Sequence, residues 1–314
     1  MTWLAGWTDP FYRCYAIVFV TFLIAGWLLL AALRISPWRN RRGARVAWVV
    51  YRSWLMMGPL AFLAIGLGRV AFIAAMGVLS LLFVKEFARA TGLYNDWGFV
   101  VAIYAGVLGF FWAALTPWYG LFVAMPVYGT VVLFMIPALR NEYAGMIQRV
   151  GLSAIALVYL GWFPAHLAFL ANHPQWRAYV LFLILGTELN DAATFLVGRL
   201  VGRRPLTSNI SPKKTIEGAL GSLVVVAAYV WLVHRWLPAS TPAVFVLSVL
   251  IFWIGGTVGD LVMSVIKRDI GITDMGKLIP GHGGLLDRCD SLVFTSPLFF
   301  HMVNYYVKFP GGMP

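Results

Sequence analysis

Long apolar stretches, separated by short polar segments, recur from one end of the chain to the other. A membrane-spanning helix needs about 20 mostly apolar residues, because the hydrocarbon core of a bilayer is about 30 Å thick. The pattern therefore predicts an all-α polytopic integral membrane protein with about ten transmembrane helices. The stretches lie roughly at 14–33, 54–68, 70–84, 97–115, 117–139, 150–171, 177–198, 218–236, 242–262 and 291–307.

The second and third stretches are short, and Arg69 lies between them. They can be read as a tight helical hairpin or as one long tilted span, which would reduce the count to nine. Lys and Arg accumulate in cytoplasmic loops, so their distribution tests the two readings. With ten helices and the N-terminus outside, only five of the 24 Lys and Arg residues fall on the outer side, which favours ten. These are Arg13, Arg69, Arg177, Arg235 and Lys308.

Composition agrees with a membrane protein, since 61% of the 314 residues are hydrophobic and only 11% are charged. Soluble domains carry about 25% charged residues, so a soluble domain is excluded. The net charge of +12 is explained by cytoplasmic loops that face anionic lipid headgroups. We therefore predict membrane lipids and no nucleic acid as partners. The protein is predicted to be a multi-pass protein of the cell (inner) membrane.

Acidic residues are concentrated in the C-terminal half. Eight of the 12 lie from Glu188 onward. This asymmetry predicts a transmembrane scaffold at 1–150 and a transmembrane catalytic region at 151–314, within one continuous membrane domain. Lys85 and Glu86, at the end of a scaffold stretch, are interpreted as a local ion pair.

Asp260 lies near the cytoplasmic end of an apolar stretch, in the segment IGGTVGDLVMS. Burying a carboxylate at membrane depth costs roughly several kcal/mol of free energy unless the carboxylate is paired with a cation or binds a metal. Gly255, Gly256 and Gly259 allow a backbone or a ligand to approach closely. Taken alone, Asp260 is equally well explained as a structural carboxylate paired with a basic residue.

The segment from Ser264 to Asp290 combines carboxylates, basic residues and a glycine-rich turn. Asp287 and Asp290 are three residues apart and would share a helix face. Carboxylates bind Mg²⁺, Lys and Arg neutralise phosphate oxygens, and backbone N–H groups of such a turn can point at an anion. This combination favours phosphoryl or nucleotidyl transfer over a solvated loop. The other residues are Lys267, Arg268, Arg288 and the turn Pro280, Gly281, His282, Gly283 and Gly284.

A second basic loop lies upstream and contains Lys213 and Lys214. Ser211 is predicted to cap a helix, with Pro212 at its first position and Glu217 in its first turn. A basic helix N-terminus is suited to phosphate, although the same charges also fit ordinary topology signalling.

Asn190 and Asp191 lie inside the preceding apolar stretch. They predict either a functional face or hydrogen bonding between helices.

These residues occur in two motifs that resemble those of the phosphatidate cytidylyltransferases, also called CDP-diacylglycerol synthases. The resemblance covers roughly 160–305. The family's signature, Ser-x-x-Lys-Arg, a spacer, Lys-Asp and Pro-x-His-Gly-Gly-x-x-Asp-Arg-x-Asp, is matched by Ser264, Lys267, Arg268, Asp274, Pro280, His282, Gly283, Gly284, Asp287, Arg288 and Asp290. The upstream motif is matched by Asp191, Gly198, Arg199, Gly202, Arg203, Ser211, Pro212, Lys213, Lys214, Thr215, Glu217 and Gly218. Thr273 departs from the pattern, which has Lys at this position.

The resemblance implies transfer of CMP from CTP to phosphatidic acid, with Mg²⁺ as cofactor and a second metal ion in a dinuclear centre. It implies Asp260 and Asp287 as metal ligands, and Asp290 as a third ligand or as a residue that orients Arg288. Lys267, Arg268 and Arg288 would bind phosphate oxygens. The implied substrate-binding residues are Asn190, Asp191, Ser211, Lys213, Lys214, Thr215, His282, Gly283 and Gly284. Family members are associated with homodimers.

Three alternatives stay open. The first is a cytidylyltransferase for another lipid phosphate, such as an isoprenoid or ether lipid. The second is a transporter of lipids, although paired broken helices in an inverted repeat are not evident. The third is a protein that binds CTP and lipid without catalysis.

Overall fold

The computed structural model describes residues 9–35, 57–237, 241–276 and 283–307. Most of these residues are helical, which confirms the predicted fold class. A short antiparallel hairpin of β1 (Pro205–Thr207) and β2 (Ser211–Thr215) joins two of the helices. The helices are α1 (Pro10–Ile35), α2 (Met57–Gly66), α3 (Arg69–Ala90), α4 (Trp97–Leu115), α5 (Tyr119–Arg140), α6 (Met146–Leu170), α7 (Trp176–Val201), α8 (Ile216–Val233), α9 (Pro242–Asp269) and α10 (Leu286–Tyr306).

Seven described helices, α3 to α9, are long and apolar enough to cross a membrane. The described residues of α1, α2 and α10 do not meet both criteria, so the count of ten spans stays a prediction. Two of the long helices contain wider π-helical turns. These are Ile155–Trp162 in α6 and Ile251–Gly255 in α9.

Helix α2 runs antiparallel to α1. A Cβ added to Gly58 would meet the ring of Phe19, and one added to Gly66 would meet the hydroxyl of Tyr12. The chain then turns at Gly68, whose φ of 109° is strained for residues with a side chain. The helix is therefore interrupted between the second and third apolar stretches.

Arg69 fixes the position of this turn. Its Nε donates to Asn172 Oδ1 at 2.7 Å, and its Nη2 donates to the carbonyl oxygen of Leu115 at 2.6 Å. The start of α3, the end of α4 and the α6–α7 turn thus lie together at what we call the Arg69 end. Arg177, at the start of α7, donates to the carbonyl oxygen of Ile65 near the end of α2 at 3.3 Å. Helices α2 and α3 therefore form the tight hairpin, and the single long span is excluded.

The opposite end, which we call the site end, carries the end of α3, the β-hairpin and the start of α10. Glycines let the helices that lead there approach closely. A Cβ on Gly218 of α8 would lie 2.6 Å from the carbonyl oxygen of Thr194 in α7. A Cβ on Gly259 of α9 would lie 3.0 Å from the Cα of Ser291 in α10. The lack of a side chain at Gly259 therefore lets the backbones of α9 and α10 approach each other closely.

The prediction that Ser211 caps a helix and Pro212 opens it is wrong. Both residues lie in β2, which pairs with β1, and α8 begins at Ile216. The cap is Thr215, whose Oγ1 accepts a hydrogen bond from the N–H of Gly218 at 3.0 Å. Thr is nearly as good a cap as Ser, so the pairing of β2 with β1 decides which of the two caps the helix.

Glu217 lies in the first turn of α8, as predicted. Its Oε2 accepts from the backbone N–H groups of Arg203 at 3.0 Å and Arg204 at 3.2 Å. This carboxylate therefore fastens the base of the hairpin to the helix.

Asp96 joins three elements at the site end, because its oxygens pair with Arg140 at 2.9 Å and Arg149 at 3.0 Å. Burial alone would raise the pKa of Asp96, but the two guanidinium groups outweigh burial and hold this pKa below its usual value. A depressed folded-state pKa stabilises the protein above the unfolded-state pKa of about 3.9, and this stabilisation is lost as the pH falls further.

We therefore expect Asp96→Asn to lower the melting temperature in detergent by a few degrees at pH 7. The difference from the wild type should shrink as the pH is lowered below 4, since protonation removes the same charge. A melting difference that does not change with pH would contradict the assignment.

Candidate active site

Asp260 lies on α9, and its side chain keeps 28% of its surface exposed. One oxygen forms an ion pair with Lys214 Nζ, which reaches over from β2. The other oxygen accepts a hydrogen bond from Ser264 Oγ, one turn further along α9, at 3.3 Å. The upstream basic loop and the membrane-embedded carboxylate, which are separate in the sequence, thus form one site.

Asp287 lies in the first turn of α10, and its side chain is only 4% exposed. Its Oδ1 accepts from Lys267 Nζ at 2.9 Å. Its Oδ2 accepts from the backbone N–H groups of Met275 at 2.8 Å and Gly284 at 2.9 Å. A negative charge is favourable at a helix N-terminus, and these contacts hold it there. Asp260 and Asp287 are the two carboxylates that were predicted to bind metal. Each of them forms an ion pair with one lysine.

The described residues of the glycine-rich turn, Gly283 and Gly284, lie next to two carboxylates of the protein itself, those of Glu86 and Asp287. Gly283 has a φ of 83°, and a Cβ on Gly284 would lie 2.7 Å from Glu86 Oε2. The backbone N–H groups of Leu285 and Leu286 donate to the two carboxylate oxygens of Glu86 at 3.0 and 2.9 Å. Together with the N–H of Gly284, these are the donors that a turn of this kind offers to an anion. In this structure they are used internally, by Glu86 and Asp287.

Sequence analysis missed this role of Glu86, and the predicted local ion pair with Lys85 is wrong. Among the described residues, no ion pair involves Lys85, because the Glu86 carboxylate points at the start of α10 instead. The available signal was an acidic residue at the end of a scaffold span, where acidic residues are few. Its partner is 199 residues away, so the sequence did not indicate the contact.

Asn190 and Asp191 are part of a second polar layer. Asn190 Nδ2 donates to Asp191 Oδ1 at 3.3 Å, and the side chain of Ser291 lies beside Asp191 while its Oγ donates to the carbonyl oxygen of Gly256 at 3.0 Å. Asp290 is buried, accepts from the backbone N–H of Ser291 at 2.8 Å and interacts electrostatically with Asp191 and Asp260. These contacts place α7 beside α10 and use the amide nitrogen of Asn190, whereas its Oδ1 has no hydrogen-bond partner among the described residues.

The two candidate arginines have contacts within the protein. Arg268 donates from Nε to the carbonyl oxygen of Ile210 at 3.3 Å and from Nη1 to that of Ile272 at 3.4 Å. It therefore connects the hairpin to the loop after α9. Arg288 interacts electrostatically with Glu188 of α7.

The other predicted site residues fall into three groups. Ser211 and Lys213 lie in β2, where Lys213 is exposed, while the hydroxyl of Thr215 is used as the helix cap. Thr273, which replaces the expected Lys, is exposed. His282 lies outside the described residues. The structure therefore pairs Lys214 with Asp260 and Lys267 with Asp287.

Known proteins that are similar to this chain identify its family. Residues 48–306 match the cytidylyltransferase family. The chain belongs to that family. It is similar to the uncharacterized protein YnbB of Escherichia coli (strain K12), with 31% identity over 88% of this chain and 95% of that protein.

Two other similar proteins carry the name phosphatidate cytidylyltransferase. The one from Staphylococcus aureus (strain COL) is 30% identical over 81% of this chain and 94% of its own length. The one from Mycobacterium leprae is 42% identical, over 48% of this chain and 50% of its own length.

The donor set of this site fits a divalent cation only together with other ligands. Within the described ranges, no three His, Cys, Asp or Glu side chains form a ready-made metal site. Mg²⁺ usually binds one or two carboxylates and completes its shell with water and substrate phosphate oxygens. Asp260, which is partly exposed, and Asp287 supply oxygen ligands of this kind. The residues therefore fit Mg²⁺ that binds together with a nucleotide.

Replacing Glu86 should impair the candidate site although no proposed substrate contact is removed. Glu86→Ala leaves two N–H groups at the start of α10 without an acceptor, so the turn that holds Asp287 loosens. We expect CTP turnover to fall about tenfold to a hundredfold, since small displacements of reacting groups cost this much. Glu86→Gln keeps one acceptor oxygen and should lie between Glu86→Ala and the wild type.

Limited proteolysis should cut the segment 270–285 faster in Glu86→Ala than in the wild type. The control is Glu142→Ala, which removes an exposed carboxylate from the turn between α5 and α6. Wild-type turnover and wild-type proteolysis in Glu86→Ala would show that Glu86 does not position the turn.

Proposed function

We propose that this protein transfers CMP from CTP to phosphatidic acid, giving CDP-diacylglycerol and pyrophosphate. The observation that carries the proposal is the juxtaposition of two carboxylate–lysine pairs, Asp260 with Lys214 and Asp287 with Lys267. The pairs lie where apolar helices meet polar loops. A lipid phosphate can reach this position from the bilayer, and a nucleotide can reach it from water.

In the proposed reaction, an oxygen of the lipid phosphate attacks the α-phosphorus of CTP. The new P–O bond forms in line with the bond between the α-phosphorus and the oxygen that bridges to the β-phosphorus. That bond breaks, and pyrophosphate leaves with the electron pair. The lipid phosphate is already ionised at neutral pH, so no strong general base is required, and catalysis consists of positioning and charge stabilisation.

Lys214 and Lys267 are the residues that we assign to the substrate phosphates. A lysine ammonium on its flexible stem can turn from a carboxylate to a phosphate oxygen without moving the backbone. Asp260 and Asp287 would then be available to hold Mg²⁺, which would neutralise charge on the phosphates. Arg268 contacts backbone carbonyl groups, so we assign it to holding the hairpin against the loop.

The site end is proposed to face the cytoplasm, where CTP is present. The basic residues around it support this orientation, because Arg89, Arg140, Arg149, Lys214 and Lys267 all lie towards this end. Labelling of single cysteines introduced at exposed positions on the β-hairpin of the protein in sealed, oriented vesicles tests it.

The proposed function is tested by pyrophosphate release from CTP with purified protein. We expect release only when phosphatidic acid and Mg²⁺ are both present. Competition with isoprenoid phosphates and with ether-linked phosphatidic acid identifies the preferred lipid. No release with any lipid phosphate would refute the enzyme, and preference for an isoprenoid phosphate would replace phosphatidic acid as the substrate.

A further inference from the structure

Several buried polar atoms near Asp260 have no hydrogen-bond partner among the described residues. They are Tyr159 Oη, Asn190 Oδ1, Thr194 Oγ1 and Thr257 Oγ1, and they belong to α6, α7 and α9. Such a group costs roughly 1–3 kcal/mol in an apolar environment when it stays unpaired. Bulk water does not compensate for this cost inside a bilayer. Two of these atoms, Tyr159 Oη and Thr257 Oγ1, belong to residues that lie close to Asp260, and a ligand that accepts hydrogen bonds would remove their cost.

The hydroxyls of Tyr159 and Thr257 lie close to the carboxylates. Tyr159 interacts electrostatically with both Asp260 and Asp290, and it belongs to the π-helical part of α6. Thr257 precedes Asp260 by three residues on α9, so the two side chains share a helix face. It is mostly buried, with 9% of its surface exposed.

The amide of Asn190 lies beside the same turn of α9, since a Cβ on Gly256 would lie 2.9 Å from its Nδ2. Asn190 is fully buried. Thr194 follows Asn190 by four residues and therefore shares a face of α7 with it. Both helices thus direct unpaired polar groups to the region around Thr257 and Asp260.

Depth distinguishes this region from the phosphate site. Helix α9 runs towards the site end, so Thr257 lies about 4.5 Å deeper than Asp260, and Lys267 lies about 10 Å closer to the polar loops than Asp260. A glycerolipid has the same order, because its phosphate lies nearest to water and its ester groups follow towards the bilayer centre. Asp191, Asp260 and Asp290 would repel a second phosphate here, whereas neutral ester carbonyl groups accept hydrogen bonds from hydroxyls.

We propose that Tyr159 and Thr257 donate hydrogen bonds to the ester carbonyl groups of a diacylglycerol phosphate whose phosphate is held by Lys214 and Lys267. This inference rests on the proposed function and names the part of the lipid that the buried layer binds. Tyr159 and Thr257 are thus specificity residues for ester-linked lipids.

Tyr159→Phe and Thr257→Val each remove one hydroxyl and almost no volume. An unpaired buried hydroxyl lowers stability, so both variants should melt at or above the wild-type temperature without lipid. Each variant should raise the KM for phosphatidic acid about threefold to tenfold, which corresponds to one lost hydrogen bond, and should change the KM for CTP less than twofold. Tyr128→Phe, on the exposed face of α5, serves as the matched control.

Ether-linked phosphatidic acid, which lacks the carbonyl groups, identifies the hydrogen-bond acceptor. The wild type should prefer the ester-linked lipid, and Tyr159→Phe and Thr257→Val should lose most of this preference. Thermal stabilisation of each protein by the two lipids gives the same comparison without turnover, so it tests the subsite even if the wild type releases no pyrophosphate.

Two results would overturn the proposal. One is an unchanged ester preference in both variants, which would make the hydroxyls structural. The other is an increase of the KM for CTP in place of the KM for the lipid, which would assign the layer to the nucleotide.

Discussion

Asp287→Asn should abolish CTP turnover, with a loss of at least about a thousandfold, comparable to the loss of a preorganised electrostatic contact. Asp287 accepts three hydrogen bonds while only 4% exposed. The amide of asparagine brings N–H donors to a position surrounded by donors. It also leaves the ammonium of Lys267 without a counter-charge and removes a proposed metal ligand.

The matched control is Asp269→Asn at the end of α9, an exposed carboxylate of the same polar segment. Its turnover should stay within twofold of the wild type. Circular dichroism and size-exclusion profiles of Asp287→Asn should match those of the wild type, which separates loss of chemistry from unfolding. If Asp287→Asn kept more than a tenth of the wild-type activity, the assignment of Asp287 to the reacting centre would be wrong.

Variants of the ion pair between Asp260 and Lys214 should change stability and activity independently. Asp260→Asn leaves Lys214 without its partner, so we expect inactivation and a loss of about 1–2 kcal/mol in unfolding free energy, a value reduced for partial exposure. The double variant with Lys214→Met removes both charges. It should recover most of the stability and remain inactive, because it lacks both the carboxylate and the lysine that the proposed function assigns to the metal and the substrate phosphates.

Pyrophosphate release and thermal unfolding in detergent measure the two effects separately. Arg235→Gln, which removes a basic side chain at the Arg69 end, is the control for a change of net charge. Recovery of activity together with stability in the double variant would mean that Asp260 only neutralises Lys214.

The fold could be read from the sequence because its signal is local. Helices α3 to α9 are runs of apolar residues long enough for a bilayer, and charged residues lie near the ends of many of the apolar stretches. The structure keeps these stretches as helices. It also shows the tight hairpin at Gly68, where the apolar pattern alone allowed either a hairpin or one long span.

The candidate site was predictable in its members and less so in its contacts. Asp260, Lys214, Lys267 and Asp287 were selected from residue type and spacing, and the structure pairs them across three elements. The role of the glycine-rich turn was not predictable. Its N–H groups were expected to face a substrate anion, but the N–H of Gly284 binds Asp287, and those of Leu285 and Leu286, which follow the turn, bind Glu86.

The sequence by itself determined that this is a polytopic membrane protein with a polar site at one end of its helices. It also selected the residues that we propose for that site, since hydrophobic length and motif spacing are properties of neighbouring residues. Only the tertiary structure decided that Glu86 of the scaffold anchors the start of α10 and that Tyr159 and Thr257 lie beside the carboxylates. Such contacts join residues far apart in the chain, and helix packing, which brings them together, leaves no periodic trace in the sequence.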